Sequence, residues 1–143
     1  MPDQNNKTVL MADDDPEDCM LAAEAFAASG ASAAFSCVED GIELMDYLSD
    51  HSRSEAGKLP DLILLDLNMP RKDGREALLE IKSEPTLQHI PIVILTTSEE
   101  QKDMDFTARA GAESFFTKPA TFDEWVRIMK TVAKSWLEKM DEL

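Results

Sequence analysis

The stretch from Leu62 to Asp66, four consecutive aliphatic residues closed by an aspartate, constrains this chain more than any other feature. An uninterrupted apolar run of strand length implies burial on both faces, as the interior strands of a parallel sheet require. Thr8 to Ala12 is a similar run and ends in Asp13, Asp14 and Asp15. Further strands are predicted over Ala33 to Val38, over Ile92 to Leu95 before Thr96-Thr97-Ser98, and over Ser114 to Thr117 before Lys118-Pro119.

Helix signals fill the gaps. Asp15 caps a helix with Pro16 at its first position, and Gly30 stops it. Asp40 and Glu43 open a second helix with Ile42, Leu44, Met45 and Leu48 inward. A third runs from Glu76 to Lys82 after the Asp73-Gly74 turn. Ser98 with Gln101 makes a capping box for a fourth that reaches Ala110 and stops at Gly111, and Thr121 with Glu124 caps a last one extending to about Met140. Five strands alternating with helices predict an α/β fold, a doubly wound five-stranded parallel sheet with helices on both faces. Residues 1–143 read as one domain, with 1–6 a flexible start, 50–60 an exposed loop insert and no room for an output domain after Lys118.

The chain carries 29 acidic against 14 basic residues, a net charge of −15, which disfavours nucleic acid and anionic membrane surfaces. No run of about 18 apolar residues occurs, and the expected location is cytoplasmic. Cys19 and Cys37, in no metal-like spacing, read as buried, reduced small hydrophobes. His51 and His89 fall in predicted loops, without partners at ligand spacing, and read as surface residues.

In an open parallel sheet, ligands bind beyond the carboxyl ends of the strands where the strand order reverses. Four of the five strands end there in reactive residues: Asp13 and Asp14, Asp66, Thr96 and Lys118. One aspartate after a strand is usually a cap or turn former; four such strand ends together are not explained that way. Converging carboxylates repel by about 4 kcal/mol per close pair at a surface-like dielectric, so the cluster calls for a cation. Oxygen donors without His or Cys favour Mg²⁺. Asp66 then becomes a nucleophile toward phosphorus, with Lys118 and the Thr96 hydroxyl placed to bind the equatorial oxygens.

The acidic pair Asp13-Asp14, LLDLNMPRKDG around Asp66, ILTTS around Thr96 and FFTKP around Lys118 resemble the receiver domain of two-component response regulators over almost the whole chain. Asp14 to Asp66 and Asp66 to Lys118 are each 52 residues apart, a spacing like the family's. The resemblance implies a flavodoxin-like fold with strand order 2-1-3-4-5. It also implies a phosphorylation switch rather than an enzyme, in which Asp66 accepts a phosphoryl group from a sensor histidine kinase or a phosphotransfer protein. Asp14, Asp66 and the Asn68 backbone carbonyl would ligate Mg²⁺, with Asp13 acting largely through water. Thr96 and Phe115 would be the switch pair, and the Lys118–Pro119 bond would be cis. The 50–60 insert, the LTTS sequence and the missing output domain look like the small regulators that serve bacterial phytochromes.

A haloacid-dehalogenase-type hydrolase would need an acid two residues after the nucleophile, where Asn68 stands and cannot exchange a proton with a leaving group. A flavin binder of the same fold would need a first loop that attracts phosphate, which three aspartates repel. On the last helix, Phe122, Val126, Met129, Ala133, Leu137 and Met140 form the expected core stripe, with Trp125, Ile128, Val132 and Trp136 to one side. An apolar arc that wide predicts either a homodimer or kinase-docking face around the last two helices and strand five, joined by Met104 and Phe106, or side residues tucked against strand five and its neighbour.

Overall fold

The computed structural model describes residues 7–53 and 58–138. Strands β1 (Thr8–Ala12), β2 (Ala34–Val38), β3 (Leu62–Leu65), β4 (Ile92–Thr96) and β5 (Ser114–Thr117) alternate with helices α1 (Pro16–Ala28), α2 (Gly41–Arg53), α3 (Gly74–Lys82), α4 (Gln101–Ala110) and α5 (Phe122–Val132). A π-helical turn, Ala133–Glu138, continues α5. The sheet is parallel, in the order β2-β1-β3-β4-β5, as expected.

Strand periodicity sorts the aliphatic runs into two cores. Val9, Met11, Leu62, Leu64, Val93 and Leu95 face α1 and α5 and pack with Ala22, Phe26, Trp125 and Met129. Leu10, Ala12, Ile63, Leu65, Ile92 and Ile94 point the other way, onto Leu44, Leu48, Leu78 and Ile81 of α2 and α3. The interior strands β1, β3 and β4 therefore carry hydrophobic residues at every position but their ends, Thr8 and Thr96.

The caps at Asp15 and Thr121 form as expected. Asp73 does more than turn the chain: it caps α3 in a reciprocal box with Glu76, so the helix starts two residues earlier than predicted. The Ser98–Gln101 box does not form. Glu100 is the N-cap of α4 without a side-chain bond, and Ser98 Oγ, two residues before it, donates to Asp103 and accepts from the Glu100 amide. The second helix reaches into the expected loop, and His51 lies in its last turn, stacked on Tyr47 with Nδ1 2.9 Å from the Tyr47 carbonyl oxygen. His89 is exposed in a turn, as read.

The stripe of the last helix is rotated from the expected one. Trp125, Met129, Val132, Ala133 and Leu137 are buried, while Phe122, at the first helical position, is 42% exposed. The rotation lies within the regular part of α5, where Trp125 takes the core position expected for Phe122 and Val126; Ala133 and Leu137, in the π turn, are buried as expected. Val126, Ile128 and Trp136 pack partly against the same core, which absorbs much of the wide apolar arc within the chain. Met140, the flexible start at 1–6 and the centre of the insert lie outside the described residues.

The reading of two reduced cysteines is also corrected: Cys19 and Cys37 form a disulfide across 18 residues, and only Cys19 is buried. Strand β2 is an edge strand, and Phe35, two residues before Cys37 and so on its face, packs on Phe26 of α1 with ring centroids 5.5 Å apart. That docking leaves the two Cα atoms 6.4 Å apart, within reach of a bridge. Reduction should lower the unfolding free energy by about 3 kcal/mol, the loop-closure value for a ring of this size. Chemical denaturation with and without reductant, alongside Cys37→Ser, measures it; an unchanged midpoint would mean that the thiols are free.

Candidate functional site

The sheet order reverses about β1, which has β2 on one side and β3 on the other. The crevice beyond their carboxyl ends is where Asp13 and Asp14 leave β1 and Asp66 leaves β3. The local backbone is tied by bonds from Asp13 N–H to the Val38 carbonyl and from Asp66 N–H to the Ala12 carbonyl, both 3.0 Å. Carboxylate oxygens of Asp13, Asp14 and Asp66 all come within 4.8 Å of one another. Asp13 and Asp66 are buried and Asp14 is exposed, so the cluster opens to solvent on one side.

Lys118, just after β5, crosses this cluster. Its Nζ lies 2.7 Å from Asp13 Oδ2, 2.7 Å from Asp18 Oδ2 and 3.2 Å from Asp66 Oδ2. Its amide donates to the Thr96 carbonyl at 2.7 Å. The Lys118–Pro119 bond is trans, not cis as expected; trans is the intrinsically favoured isomer of an X–Pro bond by about 0.5–1 kcal/mol. Burial alone would pull the lysine pKa down, but contacts with Asp13 and Asp18 and the Asp66 charge raise it above the ordinary lysine range. Lys118 is a permanent cation here.

Asp13 is pushed up to about 6 from 3.8, chiefly by burial, against the lowering effect of Lys118 and the Asp15 amide. The contact of Asp13 Oδ2 with Lys118 is a close ion pair without hydrogen-bond alignment, so this buried oxygen accepts no hydrogen bond. The unfolded chain loses this proton near pH 3.8 and the folded chain near pH 6. The stability from the protonated form is thus complete below pH 3.8 and is lost as pH rises through about 6, about 3 kcal/mol in metal-free protein. Unfolding free energies at pH 4 and pH 7 in chelator should differ between wild type and Asp13→Asn by about that amount; a difference below about 1 kcal/mol would mean an ionised Asp13 throughout.

Three hard oxygen donors facing one lysine, with one buried oxygen lacking a hydrogen bond, fit a hard divalent cation. Asn68 is exposed and its N–H lies 3.4 Å from Asp66 Oδ1. Thr96, fully buried at the end of β4, has its Oγ1 3.4 Å from the Ser98 amide. Phe115 is half-buried on β5 against the second core. Four of the expected residues thus meet directly: Asp13, Asp14, Asp66 and Lys118.

Sequence reasoning missed two acids. Asp18 reads as a first-turn helix charge, yet it holds Lys118 from 100 residues away. Asp103 carries no motif in the sequence, yet it is buried and forked by Arg75. A cleft of about 520 Å³ between α2 and α3, lined by Met45, Asp46, Glu80 and Glu84 among others, lies apart from the acid cluster.

Fold and pocket together define a doubly wound α/β domain built around a cation-seeking carboxylate cluster. Residues 9–130 match the family model of the response regulator receiver domain, and the chain belongs to that family. Response regulator Rcp1 of Synechocystis sp. is 34% identical over 140 residues, which is 96% of this chain and 95% of that protein. The crystal structure of the phosphorylated cyanobacterial phytochrome response regulator RcpA superposes with a TM-score of 0.85 at 39% identity, covering 94% of this chain and 96% of RcpA. The Mn²⁺-bound form of Rcp1 gives 0.82 at 34% identity, over 92% and 95% of the two chains. Among the described residues, no helix is long and apolar enough to cross a membrane.

Proposed function

We propose that this protein is a stand-alone, cytoplasmic response regulator of the phytochrome-associated kind, in which Asp66 accepts a phosphoryl group from a sensor histidine kinase or a phosphotransfer protein. One observation carries the reading: the Asp66 carboxylate lies 3.2 Å from Lys118 Nζ and within 4.8 Å of Asp13 and Asp14 oxygens. The likeness to Rcp1 and to phosphorylated RcpA supports a bacterial phytochrome as the kinase.

Asp14, Asp66 and the Asn68 carbonyl, with Asp13 behind them, would hold the divalent cation, taken to be Mg²⁺. When bound, Mg²⁺ supplies charge neutralisation at the carboxylates and a fixed orientation for a phosphoryl oxygen. An Asp66 oxygen attacks phosphorus, the bond to the donor histidine nitrogen breaks, and that nitrogen takes a proton as it leaves. Lys118 stays charged and binds the equatorial oxygens. Thr96 then turns its hydroxyl to the phosphoryl group and Phe115 turns inward. The chemistry is confined to the protein's own Asp66, so no external substrate is turned over.

The output is a population shift of the surface formed by α4, β5 and α5. Half-buried Met104 and Phe106 and exposed Phe122 lie on these helices, and we place there the face for a homodimer or for kinase docking. Acetyl phosphate with Mg²⁺ should add one phosphoryl group, about 80 Da by intact mass, to wild type and none to Asp66→Asn. A wild type that binds Mg²⁺ but gains no mass even at short times would refute the reading.

A further inference from the structure

Asp103 takes no part in the phosphoryl chemistry, yet it is 4% exposed on a helix whose one other acid, Asp105, is exposed. Arg75 at the start of α3 grips it with two parallel bonds, Nε to Oδ1 and Nη2 to Oδ2, both 2.8 Å. Such a fork is directional as well as strong, and it holds the carboxyl group near pKa 2, against the effect of burial. Ser98 Oγ donates to the same Asp103 Oδ2 at 2.6 Å. The Ser98 amide, in turn, faces Thr96 Oγ1 at 3.4 Å.

The other end of this chain of contacts reaches the phosphorylation site. Arg75 follows Gly74, whose N–H donates to the Leu67 carbonyl at 2.9 Å, directly after Asp66. Arg75 Nη1 also bonds Asp73 Oδ2 at 2.9 Å, the cap of the same helix. A continuous polar path therefore runs from the backbone at Asp66 through Arg75, Asp103 and Ser98 to the Thr96 hydroxyl oxygen. The Thr96 hydroxyl oxygen thus accepts from the amide of the residue whose own hydroxyl is held by Asp103.

We propose that Arg75 and Asp103 are positioning residues that brake phosphoryl uptake, holding Ser98, and through it Thr96, in the unphosphorylated arrangement. The proposal rests on Asp66 being the phosphoacceptor. A contact made only in the resting state lowers the population of the competent state, and removing it raises the apparent uptake rate by the same factor. A merely structural ion pair would change the melting temperature and leave that rate alone.

The test is the initial rate of Mg²⁺-dependent uptake from limiting acetyl phosphate, read by intact mass on the full chain. Ser98→Ala removes the hydroxyl and leaves the ion pair in place, so its folding is not at risk. Ser98→Ala and Asp103→Asn should each raise the rate about 3–10-fold, the double variant no more than the larger single one, and Ser98→Thr should keep the wild-type rate. Ser98→Ala at or below the wild-type rate overturns the brake, as do single effects that multiply in the double variant. No adduct even on wild type refutes the phosphoacceptor reading and the brake together, whereas a normal wild-type rate that Ser98→Ala leaves unchanged refutes the brake alone.

Discussion

Replacing Lys118 by alanine should cut Mg²⁺-dependent phosphoryl uptake by at least about 100-fold, the usual cost of losing a preorganised donor to developing oxyanion charge. The lysine side chain is only 8% exposed and is shared by Asp13, Asp18 and Asp66. Its positive charge is already aimed where the phosphoryl oxygens would arrive, so little reorganisation accompanies the reaction. The same substitution leaves Asp13 and Asp66 buried without their cation. Removing one partner of a buried ionic group costs about 3–5 kcal/mol, most of it the uncompensated charge left behind. Two measurements separate the effects. Denaturation of metal-free Lys118→Ala should show the stability loss, and added Mg²⁺ should recover part of it by neutralising the same carboxylates. Uptake should not recover, because the cation cannot occupy the position of the amine. Uptake within threefold of wild type would remove Lys118 from the chemistry.

The sheet was legible because the residues that define it are local. A run such as Leu62–Leu65 announces burial on both faces without reference to anything else in the chain, and β5 falls on the expected residues. Asp13, Asp14 and Asp66 were legible for a related reason: a strand's carboxyl end is read from the strand itself, and the fold class places those ends together. What was not legible depends on how helices dock. Nothing near Asp18 indicates that the first turn of α1 comes within reach of Lys118, which follows β5 and meets it across 2.7 Å. The Cys19–Cys37 bridge and the Arg75–Asp103 fork are likewise products of helix placement. Ser98 is a further case: a capping box was a sound local expectation, but the helix begins later, with Glu100 as its N-cap, and the Ser98 hydroxyl donates to Asp103 while accepting from the Glu100 amide. The rotated stripe of α5 belongs to the same class, since which apolar residues of a wide arc face the sheet is set by how the helix docks.

Gly74→Ala should be the most destabilising single-methyl change near the site. On propensity alone the change would help, because alanine is favoured over glycine in a helix by about 1 kcal/mol. Packing decides against it. A Cβ at Gly74 would lie 2.8 Å from Leu67 Cα and well inside contact with the Asp66 carbonyl oxygen. Both atoms are backbone at the end of a central strand, held by the Asp66 N–H bond to Ala12 and the Gly74 N–H bond to Leu67. No flexible side chain can yield, so either α3 tilts off the sheet or the Asp66 backbone moves. The expected loss is about 3 kcal/mol, near the upper end for overpacking, or roughly 6–12 °C in melting temperature for a domain of this size. Phosphoryl uptake should fall with it, since a displacement of about 1 Å at a reacting group costs on the order of 100-fold. Gly30→Ala is the control: its φ of +87° strains any side chain, but nothing lies within 4 Å, so it should cost only about 1 kcal/mol and leave uptake unchanged. Equal losses for the two variants would point to backbone conformation as the common cause. A larger loss at Gly74, with slowed uptake there alone, would show that the bare Cα of Gly74 is what lets α3 approach the phosphoacceptor strand.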